Sequence, residues 1–204
     1  PETGVDGGGN FPANLGGWTA GTGGAYASAS TVNGDCHSAD RMFKFFKVGG
    51  PDGQFVNQTI TALPAGNYNW SFYSQWGDAG HANGPTGTAP GNLPSWSAEG
   101  DNQPKFTILV QDADGAWVAD QATVMTEPTT VLTWVQDSGS WTNTETRDVR
   151  IKFAKNGGTA AGGGSNTDKL MYIDDASLTY ASALGGSAVT SFPYCSSFDT
   201  DLGD

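Results

Sequence analysis

The chain has 204 residues, with 21 acidic against 9 basic side chains, a formal charge of −12, 37% hydrophobic residues and 11% aromatics. That apolar content supplies one core and excludes wholesale disorder, and the length suits a single domain with or without a tail. The missing basic footprint excludes nucleic acid and disfavours an anionic membrane surface, and no apolar run approaches the ~20 residues of a membrane span.

Only 15% of residues are charged, below the roughly 25% of an average soluble protein, while glycine reaches 30 residues, many beside Asn, Ser, Thr and Asp. Such residues punctuate short strands and turns. No signal peptide opens the sequence, so it reads as a mature or trimmed chain.

Residues 1–25 are Gly-rich, with Phe11, Leu15 and Trp18 as large apolar anchors. Ala25 to Val32 alternates small and polar residues and predicts a strand. Arg41 to Lys47 predicts an aromatic-rich one, broken by Gly49-Gly50-Pro51-Asp52-Gly53. Gln54 to Thr61 alternates, with Val56, Gln58 and Ile60 on one face, and Leu63 to Asn67 reads as a turn. Tyr68 to Trp76 has the clearest strand pattern: Tyr68, Trp70, Phe72 and Ser74 share one face, and Asn69, Ser71, Tyr73 and Gln75 the other.

Gly77 to Gln103 forms a long loop containing His81 and Trp96; loops of this length in compact domains are often functional. Lys105 to Gln111 is a strand with Phe106, Ile108 and Val110 inward, and Asp112-Ala113-Asp114-Gly115 is a hairpin turn from which Ala116 to Met125 returns. Val131 to Gln136 and Ser140 to Thr144 flank a small turn. Asp148 to Ala154 places Val149, Ile151 and Phe153 inward. A Gly-rich loop over Asn156 to Asp168 leads to a last strand, Leu170 to Tyr180. About nine strands and no helix predict an all-β fold, a two-sheet antiparallel β-sandwich, because each strand has one apolar face to bury.

The last strand reads Tyr172-Ile173-Asp174-Asp175-Ala176-Ser177-Leu178. Ahead of it come Gln58-Thr59-Ile60 and Ala65-Gly66-Asn67-Tyr68-Asn69-Trp70-Ser71-Phe72, and near the start Gly9-Asn10-Phe11 and Trp18. This ordered set, over roughly residues 5–180, resembles the jelly-roll carbohydrate-binding modules attached to bacterial xylanases, glucanases and marine polysaccharidases. The resemblance implies a calcium-stabilised jelly roll carrying glycan on a sheet face or on loops. It also implies that Asp174 matches a calcium ligand of those modules. If Ala176 and Leu178 face the core, period-two alternation points Tyr172 and Asp174 inward too. A buried carboxylate then needs a partner, and calcium would provide one. The alternative is that Asp174 caps backbone amides or sits on a bulge. Where the family often has Glu after its N-terminal aromatic, Pro12 follows Phe11 here. Further ligands are then expected from Asp6, from a carbonyl near Gly9 or Asn10, or from the Asp35–Asp40 segment.

Sugar recognition joins flat apolar rings to a few placed amides and hydroxyls. Of the seven Trp, Trp70 is assigned to the core and Trp18 and Trp141 to core or rim. Tyr73 and Gln75 point outward beside the long loop, Trp76 ends their strand, and Trp96 and Trp134 complete the candidate ligand-binding set. Arg150 and Lys152 face away from the core, on a solvated face or toward acidic sugars. Enzymatic signals are thin: the two His, His37 and His81, lack zinc spacing, no nucleophile elbow occurs, and nothing fixes Glu99 and Glu127 together as a catalytic pair.

Ala181 to Thr190 reads as a linker, and Phe192 to Asp199 resembles the opening of a further module of a multidomain secreted protein. Cys36 and Cys195 are bridged or free. The expectation is therefore a module over 1–180 and a linker over 181–204. It is a non-catalytic, monomeric, secreted or cell-surface polysaccharide-binding protein with a structural calcium, beside neighbouring modules. The alternative is an adhesin or stalk domain.

Overall fold

The computed structural model describes residues 17–20, 25–29, 37–38, 41–45, 55–78, 104–127, 133–154 and 169–184. Alternation of apolar and polar side chains along these segments gives each strand one face to bury, and ten strands result. They are β1 (Trp18–Ala20), β2 (Ala25–Ala29), β3 (Arg41–Phe45), β4 (Phe55–Leu63), β5 (Gly66–Asp78), β6 (Lys105–Gln111), β7 (Trp117–Val124), β8 (Val135–Asn143), β9 (Arg147–Ala154) and β10 (Lys169–Ser182). They form two five-stranded sheets, ordered β1-β4-β9-β6-β7 and β2-β3-β10-β5-β8, with all pairings antiparallel. The expected all-β two-sheet antiparallel sandwich is what the chain adopts.

The core lies between the sheets. From β5 it takes Tyr68, Trp70 and Phe72; from β6, Phe106, Ile108 and Val110; from β9, Val149, Ile151 and Phe153. These are the inward faces that the alternation assigns. Trp18 and Trp141 join them, both buried. Phe72, Phe106 and Phe153 meet at centroid separations of 5.0 to 5.4 Å in tilted and edge-on contacts, the geometry that ring quadrupoles favour.

Two departures from simple alternation matter. The segments flanking an expected turn after Gln136 are one strand, β8, paired with β5 without interruption from Ser74↔Val135 to Gly66↔Asn143. Gly139, which read as turn punctuation, is an interior strand residue. A Cβ there would stand 2.5 Å from Cζ2 of Trp70, so the missing side chain is the space the indole occupies. The second departure is in β10, whose pairing with β5 shifts register between Asp174 and Ser177. Asp175 sits there with φ of 49°, in the left-handed region, and its extra residue flips the faces. Met171 and Ile173 therefore face the core together with Ala176 and Leu178. The inward orientation expected for Tyr172 and Asp174 is corrected by this bulge: Tyr172 packs with Met42 and Trp134 in a separate cluster on the far side of its sheet.

The β4–β5 corner is held by Asn143, which is fully buried. Its Nδ2 donates to the carbonyls of Leu63 and Pro64, each at 2.9 Å, and its Oδ1 accepts from Arg147 Nε at 2.8 Å. At the β6–β7 hairpin, Asp112 Oδ1 accepts the amides of Asp114 and Ala116, and Gly115 takes φ of 80°, as the Asp-Gly turn predicts.

Candidate functional site

The face of the β2-β3-β10-β5-β8 sheet turned away from the core carries two kinds of chemistry. Along β5, β8 and β10 it presents Asn67, Asn69, Ser71, Gln136, Ser138, Ser140, Thr142, Ser177 and Thr179, all short, uncharged hydrogen-bonding groups. Several are already ordered by one another. The Ser71 and Ser177 hydroxyls lie 2.8 Å apart, Thr142 Oγ1 donates to Asn67 Oδ1 at 2.8 Å, and Asn67 Nδ2 donates to Ser182 Oγ at 3.0 Å.

At the other end of the same face stands an aromatic patch. The His37 imidazole lies parallel to the Tyr73 ring, centroids 3.5 Å apart and planes at 18°, and meets Trp134 edge-on at 5.8 Å. Trp134 in turn covers Met42 and Tyr172. The β10 bulge builds this patch. Asp174 is opposite Tyr73 in the sheet, is buried, and holds the 37–38 segment over the sheet. Its Oδ2 accepts the amides of His37 at 2.8 Å and Ser38 at 3.3 Å, and its Oδ1 accepts the amide of Asp175 at 2.8 Å. Burial pushes the Asp174 carboxyl up to about 6, helped by the neighbouring Asp175 charge and opposed by the three amides. Asp175 fixes the side chains above it: Ser38 Oγ donates to one oxygen, and His37 Nδ1 lies 2.6 Å from the other. A carboxylate only accepts, so Nδ1 carries the hydrogen.

The structure brings Tyr73 and Trp134 together from the residues expected to touch ligand. Gln75 is buried beside them on β5, its Oε1 without a hydrogen-bond partner among the described residues. Trp76 lies on β5, opposite Met171. Trp96, His81, Glu99, Cys36, Cys195, the residues past 184 and most of the long loop lie outside the described residues. The component that sequence reasoning missed is His37. It stands in an unpatterned segment, and its partner lies 138 residues away, so no local signal marks it.

Both Asp174 oxygens accept amide hydrogen bonds, and both Asp175 oxygens are engaged by Ser38 and His37. Among the described residues no group of three or more His, Cys, Asp or Glu side chains gathers to hold a metal. The other expected ligands, Asp6 and Asn10, lie outside the described residues.

Two antiparallel five-stranded sheets make the chain a jelly-roll β-sandwich. No family model and no curated protein matches it. Among solved structures it is similar to the CBM22-2 xylan-binding domain of Paenibacillus barcinonensis Xyn10C, with a TM-score of 0.51, 12% identity, and 82% of this chain aligned to 94% of that one. It is similar to the CBM22-1–CBM22-2 tandem of the same protein, with a TM-score of 0.51, 15% identity, and coverage of 85% and 44%. A third similar structure is the CBM22-1–GH10 portion of Clostridium thermocellum xylanase 10B complexed with xylohexaose, with a TM-score of 0.50, 13% identity, and coverage of 86% and 28%. At such identities the likeness is one of fold.

Proposed function

We propose that the protein is a non-catalytic polysaccharide-binding module of a secreted or cell-surface protein, and that it grips a glycan chain along the outer face of the β2-β3-β10-β5-β8 sheet. One observation carries this reading: a run of uncharged Ser, Thr, Asn and Gln side chains on β5, β8 and β10 leads into the His37–Tyr73–Trp134 patch. Amides and hydroxyls match sugar hydroxyls without the desolvation cost of charge, and rings match the apolar face of a pyranose. An extended sheet face suits a polymer chain rather than a small molecule. A module of this kind raises the local concentration of an attached enzyme on its substrate and performs no chemistry itself.

The test is a binding screen against neutral plant and algal polysaccharides by affinity electrophoresis and calorimetry. Retention on one glycan class, lost in Trp134→Ala and in Tyr73→Ala while both variants stay folded, supports the reading. Folded protein that binds no glycan, or binding indifferent to both substitutions, overturns it and favours an adhesin or stalk domain.

A further inference from the structure

The outer face of the other sheet has a different character. Arg150 and Lys152 alternate along β9, where Arg150 pairs in register with Thr59 and Leu109, and Lys152 with Asn57 and Thr107. The Arg150 guanidinium lies over the Trp117 ring at 4.1 Å from its centroid, and the Lys152 ammonium over the Phe55 ring at 4.4 Å. Lys105 begins β6 on the same side. Arg150 Nε donates to Thr59 Oγ1 at 3.1 Å, and its Nη groups have no acceptor among the described residues.

Neither cation has a carboxylate partner among the described residues. Asp148, on the same side of β9, spends an oxygen on the Ala62 amide at 2.8 Å. Two neighbouring positive charges without a counter-ion among the described residues are unexpected in a chain of net charge −12. Their cost shows: burial lowers the affinity of both groups for their protons, and Arg150 lowers that of Lys152 further.

The geometry points to a second ligand site here, in which Arg150 and Lys152, each backed by an aromatic ring, bind the carboxylates of a polyuronate chain. A guanidinium presents two parallel N–H groups that suit the planar carboxylate of a uronic acid, and a ring beneath it holds that plane in place. The acidic remainder of the protein does not forbid this at physiological ionic strength, because charges farther than about 8 Å are largely screened. The site is independent of the face assigned to neutral glycan.

The test is affinity electrophoresis of the full chain in 0.15 M salt with EDTA, through gels containing polygalacturonate, a sulfated galactan, or neutral xylan. Retardation by polygalacturonate is expected, weakened at least ten-fold in the double variant Arg150→Gln, Lys152→Gln and unchanged in Tyr73→Ala. Thr107→Glu, which sets a carboxylate beside Lys152 without removing either cation–ring contact, is expected to weaken it too. This second variant keeps the test open should the double variant fail to fold. Xylan binding is expected to respond in the opposite way, lost with Tyr73 and kept in the charge variants. Retardation by the sulfated polymer alone or by both polyanions equally, no retardation by polygalacturonate, or retardation that survives the charge variants each overturns the assignment.

Discussion

The His37 imidazole covers one face of the Tyr73 ring at 3.5 Å, although 36 positions separate the two residues in the chain, and the Asp174–Asp175 bulge ties their segments together. The two rings form a single platform, each holding the other in place. His37→Ala and Tyr73→Ala are each expected to weaken glycan binding about ten-fold, equivalent to ~1.4 kcal/mol. The double variant is expected to be little worse than either single one, because residues acting as a unit are not additive. Titration calorimetry on the four proteins measures the coupling, and strictly additive losses would show two independent contacts instead.

The Asp174 carboxyl gives a pH signature. Its folded value of about 6 lies above the ordinary carboxylate value, so the folded state binds the proton more tightly than the unfolded chain. Its contribution to stability is therefore full below pH ~4 and is lost as pH rises through about 6. In EDTA, stability of the wild type relative to Asp174→Asn is expected to rise as pH falls across this window. Denaturant melts from pH 4 to 7 read the difference. Added calcium is expected to leave it unchanged; a calcium-dependent gain in melting temperature that vanishes in Asp174→Asn would reverse the conclusion that amides fill this carboxylate.

Gly139→Ala is expected to destabilise the fold by about 1–3 kcal/mol, the range for overpacking a close-packed core. The new Cβ meets Trp70 Cζ2 at 2.5 Å, and β8 has no slack between its ladder to β5 and the indole. A lowered denaturation midpoint with red-shifted or broadened Trp fluorescence marks the displaced indole. An unchanged midpoint would mean that β8 can lift away from Trp70.

Asn143→Ala removes three hydrogen bonds at the corner where the chain passes from one sheet to the other. Two carbonyls lose this donor and Arg147 Nε its acceptor, while the Arg147 guanidinium keeps Asp120 and Glu145; the loss is expected to cost about 2–4 kcal/mol in urea unfolding. Asn143→Asp is expected to be no better, because the replacement cannot donate to the carbonyls of Leu63 and Pro64.

The fold was legible because its information is local. Period-two alternation in Tyr68 to Ser74, Phe106 to Val110 and Val149 to Phe153 names the inward residues correctly, and Asp-Gly marks its hairpin. The same reasoning failed at Gly139 and at Asp175 for one physical reason. Glycine inside a strand reads locally as turn punctuation and a single extra residue reads as unbroken alternation; at Asp174 the alternative of a bulge and amide capping is the one that holds, and only the partner strand decides it.

The candidate site divides along the same line. Sequence by itself determined that Tyr73 and Gln75 point away from the core, since that follows from strand periodicity. Tertiary structure alone decided that Trp134 reaches the same patch, that His37 covers Tyr73, and that Asp174 is satisfied by amides. Each of these depends on residues dozens of positions apart being brought to one end of one sheet. The determinant is a left-handed residue in β10, a backbone conformation that an Asp-Asp pair permits but that the register with β5 imposes.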